Sequence, residues 1–213
     1  LISPMRRLSF FSFSSLISFV PLISLALLVV VFLRQAAFTN LIFPRGDTFL
    51  YFYPYWEYRA QSLLAARLPL WNPDIFMGAP FLANSQAGVF YPLNLPLIFF
   101  SAPVAVKITV IIHLIIAAYG AYLLAHRIFN LQSLSAAFAA TLFALGGYLT
   151  AQVEHVNQLQ GLAWLPFALW ATFNIFNFKL QTSNLQSPIS NFQSLILPLL
   201  QPRIQEINSG KRQ

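Results

Sequence analysis

The stretch VAVKITVIIHLIIAAYGAYLL, Val104–Leu124, decides the fold. It holds one lysine near its start, one histidine in its middle and no acid, and His126-Arg127 follow it. A membrane-spanning helix needs about 20 predominantly apolar residues, and this run meets that length with bases at both ends. Three more runs read the same way: Leu16–Leu33, Leu134–Thr150 and Gly161–Phe178. The first has too long an apolar core for a signal peptide and no small-residue cleavage site. Its Pro21 is placed near the start of the helix, where a missing N–H does little harm. The third is rich in Ala and Gly (Ala136, Ala137, Ala139, Ala140, Gly146, Gly147), which favours close helix contact. The fourth carries Trp164 and Pro166 in its first turns and closes on Lys179.

Composition agrees. Only 8% of the 213 residues are charged and 58% are hydrophobic, against about 25% charged in soluble domains. Such a chain has too few polar groups to cover a globular surface. The net charge of +7 lies in bases scattered singly at the ends of apolar runs, with no basic stripe. Membrane topology accounts for that charge better than nucleic-acid binding does, and no nucleic acid is expected as a partner. The absence of cysteine excludes disulfides and thiolate metal sites. The expected fold is therefore all-α, a polytopic transmembrane helical bundle of about four spans. Residues 1–15 form a cytoplasmic N-terminus, 16–178 the transmembrane region, and 179–213 a low-complexity tail without order. Arg6 and Arg7 place the N-terminus in the cytoplasm, so residues 35–100 and Glu154-His155 lie outside; Arg34, Arg45, Arg59, Arg67 and Lys107 run against that orientation.

The long outer loop, 35–100, holds three of the five acids, Asp47, Glu57 and Asp74. A structureless loop of that size is improbable, so it should contain helices of its own. Pro54 suits a first helical position. From there Trp56, Ala60, Leu63 and Leu64 share one face, with Glu57, Arg59 and Gln61 elsewhere, and Pro69 ends the helix. This reads as an amphipathic helix lying along the membrane surface. The turns that follow, Pro69-Leu70-Trp71-Asn72-Pro73 and Gly78-Ala79-Pro80, predict a shaped, ordered loop.

Few side chains could carry chemistry. Asp47, in Arg45-Gly46-Asp47-Thr48, reads as a helix N-cap or as a catalytic base at the membrane edge, and the two roles are compatible. Glu154-His155 reads as a general-base pair, as metal ligands, or as a polar loop capping the fourth span; one His with one Glu falls below the usual ligand count. Arg59 and Lys107 either meet a lipid phosphate or snorkel to the headgroups. His113, mid-span, is read as hydrogen-bonding another helix rather than a metal. No HExxH, GxSxG, CxxC or phosphate-cradling glycine loop occurs.

Gly46-Asp47 with its following aromatics, Pro69-Leu70-Trp71-Asn72-Pro73, Phe76-Met77-Gly78-Ala79-Pro80, Gln86-Ala87-Gly88, Tyr91-Pro92-Leu93-Asn94 and His155-Val156-Asn157-Gln158 resemble the YfhO-like family of bacterial membrane proteins. That family is similar to the GT-C superfamily of polytopic glycosyltransferases. The resemblance covers roughly residues 16–178. It implies a multi-pass protein of the bacterial cytoplasmic membrane that takes a sugar from a polyprenyl-phosphate donor and passes it to an extracytoplasmic glycan or polymer acceptor. It implies Asp47 as the general base, and Arg59, Lys107, Glu154, His155, Trp71 and Asn72 as substrate-binding candidates. Some GT-C enzymes use a divalent metal, but no clear ligand set is present. Members of the superfamily carry many more spans, so the chain is expected to be an N-terminal fragment of a longer protein. Two other readings stand beside this one, a transporter or flippase, and a non-catalytic truncated membrane protein. Nearly apolar spans count against the first of these.

Overall fold

The computed structural model describes residues 13–43 and 46–175, with side chains from residue 20 onward. The chain divides into two compact units, Leu1–Thr172 and Phe173–Gln213. The first holds every element below except the last residues of α8. It is mostly helical. Two helical stretches are long and apolar enough to cross a membrane, Ala102–Ile128 with 27 residues and Ser133–Glu154 with 22, the second interrupted at Gly146. The expected tail, 179–213, lies outside the described residues, as do 1–12.

Helix α1 (Phe13–Phe32) is followed by the short α2 (Arg34–Phe38). Helix α1 starts earlier than its apolar run predicts, so Pro21 lies well inside the helix rather than near its start. Leu25 and Val29, one turn apart, are buried, whereas Ile23, Leu27 and Val31 are exposed. Helix α3 is Tyr53–Leu64 and has Pro54 in its first turn as expected. The buried face differs from the prediction. It consists of Tyr53, Tyr55, Trp56, Arg59, Ala60 and Ser62, while Leu64 is exposed. Arg59 joins the inward face because Trp56 offers its guanidinium a ring at 4.1 Å.

Pro69 does not end α3. The helix stops at Leu64 in a Schellman turn, with Arg67 N–H donating to Ser62 O at 2.9 Å and Ala66 N–H to Leu63 O at 3.0 Å. Ala66 therefore occupies the left-handed position, φ 52°, which normally falls to glycine. Ala66→Gly is expected to raise stability by about 0.5–1 kcal/mol, since the left-handed penalty of an L-residue outweighs glycine's extra chain entropy. A higher thermal midpoint in detergent checks it.

The predicted Pro-rich turn is a hairpin, β1 (Trp71–Asn72) antiparallel to β2 (Ala79–Pro80), with Trp71 opposite Pro80. Its tip turns through left-handed Phe76, Met77 and Gly78, and Gly78 lies so close beneath the Trp71 ring that a Cβ there would sit 2.7 Å from it.

Helix α4 (Ala102–Leu123) is the centre of the unit, continued by a wider turn to Ile128. Asn130, left-handed, ends it, and His126 and Arg127 in the last turn suit the helix dipole. Helix α5 (Ser133–Leu145) lays Ala136, Ala140 and Ala144, spaced one turn apart and fully buried, against α4. The opposite face, Leu134, Phe138 and Leu142, is exposed. Gly146, in extended backbone, separates α5 from α6 (Gly147–Ala151). The predicted fourth run is not one helix within the described residues. Helix α7 (Val156–Ala163) and helix α8 (Leu165–Ile175) meet at Trp164, because Pro166 lacks the N–H that would continue α7. Residues 176–178 of that run lie outside the described ones. Gly120 lets α8 close on α4, since a Cβ there would meet the Phe167 ring at 2.7 Å.

Candidate functional site

The segment leading into α3 and the turn after α6 come together. Thr48, fully buried, donates its hydroxyl to Val153 O at 2.9 Å. That bond sets Asp47 beside His155, with Asp47 Oδ2 3.5 Å from His155 Nε2. Both side chains stay substantially open to solvent, Asp47 at 60% and His155 at 43%. Asp47 makes no capping bond and its own backbone is helical, so its carboxylate is not spent on a helix N-terminus.

Glu154 closes the other side of Gly46. Gly46 is left-handed, φ 54°, and a Cβ on it would sit 2.6 Å from Glu154 Oε2. Gly46→Ala is therefore expected to cost about 1–2 kcal/mol in backbone strain and to push Glu154 aside. A fall in thermal midpoint in detergent would register it.

Beside this cluster lies a cavity of ≈ 600 Å³. Its lining mixes apolar side chains, Phe32, Leu33, Phe43 and Leu114 among them, with the polar Thr48, Thr150, Gln152, Glu154 and His155; Asp47 stands outside the lining. Gln152 Oε1, buried, has no hydrogen-bond partner, nor has Asn157 Oδ1 nearby in sequence. Phe43 is fixed by Tyr53, whose hydroxyl donates to Phe43 O at 3.1 Å and accepts from its N–H at 3.0 Å. Burial raises the Tyr53 pKa above the usual phenol range, which keeps that donor protonated.

The other candidates sit elsewhere. Arg59 is 1% exposed, stacked on Trp56, and donates to Ala87 O at 3.2 Å, while its Nε has no partner. Desolvation lowers its pKa to about 10, which leaves it a buried cation at neutral pH. Lys107 Nζ donates to Thr39 O at 3.0 Å, at the C-terminal end of α2. Trp71 O accepts from the Tyr58 hydroxyl at 2.6 Å, and Asn72 Oδ1 accepts from Asp74 N–H at 2.9 Å. None of these four residues lines the cavity. Among the described residues, no group of three or more His, Asp or Glu side chains is arranged to hold a metal ion.

A second polar cluster escaped the sequence reading. Trp164 Nε1–H donates to the Tyr91 hydroxyl at 2.7 Å, and that hydroxyl donates to His113 Nε2 at 2.7 Å. His113 Nδ1–H in turn donates to Thr109 O at 2.7 Å. Gln160 Nε2 donates to Asn94 Oδ1 at 2.8 Å and to Thr109 Oγ1 at 3.1 Å. His113 thus bonds a loop tyrosine and its own helix rather than another helix. The signal in the sequence was spacing: Thr109/His113 and Gln160/Trp164 are both i, i+4 pairs.

Compared with known proteins, the chain matches no family model, no curated protein and no solved structure.

Proposed function

We propose that the chain is a multi-pass membrane protein and forms the catalytic N-terminal region of a GT-C-type glycosyltransferase, with Asp47 as its general base. The membrane reading is supported by the two long apolar helical stretches and by the outward apolar stripes Ile23/Leu27/Val31 and Leu134/Phe138/Leu142. At about 1.5 Å per residue, the 20 residues of α1 also reach across a hydrocarbon layer of about 30 Å; α7 and α8 supply the fourth crossing. With the N-terminus in the cytoplasm, Asp47, Glu154 and His155 lie on the outer side.

The observation that carries the enzymatic reading is the Asp47–His155 pair beside a cavity lined by both apolar and polar side chains. The apolar side chains accept a polyprenyl chain, and the polar ones accept a sugar. Asp47 takes the proton of an acceptor hydroxyl as its oxygen attacks the anomeric carbon. The bond from that carbon to the phosphate oxygen breaks, and the lipid phosphate leaves with the electron pair. His155 orients the Asp47 carboxylate, and the unpartnered Gln152 Oε1 is an acceptor for a sugar hydroxyl. The Tyr91–His113–Gln160 cluster weighs against a transporter, because its groups bond one another and leave none aimed at a cargo.

Ala151, exposed on the cavity wall, gives the test. Ala151→Trp fills the space and is expected to weaken binding of a polyprenyl-phosphate sugar at least about tenfold, or 1.4 kcal/mol. Unchanged binding in vesicles would remove the cavity from the proposal.

A further inference from the structure

Helix α4 carries its own depth marks. Between Lys107 and His126 lie residues 108–125, with no Lys, Arg, Asp or Glu among them. Those 18 residues span about 27 Å, close to the thickness of the hydrocarbon layer. Lys107 is tied to Thr39 at the end of α2, so both elements reach the outer boundary at the same level. His113 stands six residues further along α4, about 9 Å below that boundary.

The Tyr91 hydroxyl is hydrogen-bonded to His113, so the loop before α4 sends that side chain down to this depth. The loop climbs back as a 3-10 helix, Pro92–Phe99, whose eight residues rise about 16 Å and return the chain to Ser101. From residue 90 to 100, the exposed residues are Phe90, Pro92, Leu95, Pro96, Phe99 and Phe100, all apolar. Two of them are prolines, with no N–H to satisfy. The polar side chains of the segment, Tyr91 and Asn94, are bonded to α4 and to α7 and Trp164 beyond it. Non-helical backbone at membrane depth is tolerated where its polar groups close on protein; here Tyr91 N–H donates to Gly88 O, Asn94 N–H to Tyr91 O and Phe100 N–H to Leu97 O, and every exposed side chain is apolar.

We propose that the lower part of this segment, Phe90–Leu95, is a re-entrant wedge that enters the bilayer from the outer side beside α4 and packs its apolar face against lipid acyl chains. The proposal rests on the membrane reading above. The chain has no cysteine, so single-cysteine variants of the full chain report each position cleanly. Leu95→Cys and Phe90→Cys, each labelled with an environment-sensitive fluorophore, are reconstituted in phosphatidylcholine–phosphatidylglycerol vesicles. Phe138→Cys on the outward face of α5 serves as the bilayer reference and Ser85→Cys as the aqueous one. The wedge probes are expected to be quenched by lipids brominated on the acyl chain and shielded from aqueous iodide, as Phe138 is. If iodide quenches them while Phe138 stays lipid-quenched, the wedge is overturned and the membrane reading stands. Shielding from both quenchers means protein covers the segment, which also overturns it. If lipid bromine fails to reach Phe138 too, the membrane reading and the wedge fall together.

Discussion

Asp47→Asn is expected to lower sugar transfer by about 10²–10⁴-fold, the usual worth of a positioned general base. The substitution keeps the shape of the side chain and removes only its capacity to take a proton. Little else depends on that carboxylate. It is largely exposed, caps no helix, and its segment is held by the separate Thr48–Val153 bond and by the packing of Gly46 against Glu154. Thermal stability should therefore stay within about 0.5 kcal/mol of the parent, as for surface changes away from structural features. The loss should fall on kcat with KM nearly constant, because the proton moves only in the transition state. His155→Asn, which removes the orienting ring but leaves the base, should cost less than Asp47→Asn. Membranes carrying the protein, supplied with a radiolabelled polyprenyl-phosphate sugar and an acceptor, provide the assay. Undiminished transfer by the Asp47→Asn protein would end the assignment of Asp47 as base.

The parts of this architecture written as uninterrupted apolar length were open to reading from the chain alone. Helix α4 is one such part, and the Ala and Gly content of the run after it pointed to a close contact, which Ala136 and Ala140 make while Gly147 stands exposed with nothing close to it. Arg59 shows the limit of that reading. Helical spacing sets it beside Trp56 and Ala60 as easily as beside Glu57, and charge argues for the outside. Only the tertiary position of Trp56 and the Ala87 carbonyl makes the inward choice tolerable. Pro166 was read as a first-turn proline of one long span, yet the same residue permits a break just before it, and the structure takes that break at Trp164. For the site, the side-chain types at Asp47 and Glu154-His155 were legible. Their meeting was not, because it depends on a bond between residues 48 and 153 that no local pattern encodes. Thr48, Thr150 and Gln152 acquire their place at the cavity only through that closure.

The Tyr91 hydroxyl is where the same logic yields its largest structural effect. Tyr91→Phe deletes one oxygen, orphans the fully buried His113 Nε2 and takes away the acceptor of the N–H on the exposed Trp164. An orphaned buried polar group costs about 1–3 kcal/mol in general, whereas hydrogen bonds between membrane helices average nearer 0.6 kcal/mol because the unfolded reference also finds partners. Tyr91 lies in a loop segment, and the loss orphans one fully buried acceptor while Trp164 is open to solvent, so about 1 kcal/mol is expected. The diagnostic is the double variant. With His113→Leu added, the acceptor that Tyr91 had satisfied is gone, and the combined loss should be smaller than the sum of the two single losses. A full cycle of Tyr91→Phe, His113→Leu and both together, read by thermal or denaturant unfolding in detergent, gives that coupling directly. Strict additivity would mean that the hydroxyl and the ring do not act as a pair. Positive coupling would establish that the loop before α4 is bolted to the middle of that helix by a chain of polar groups, each of which the others make tolerable.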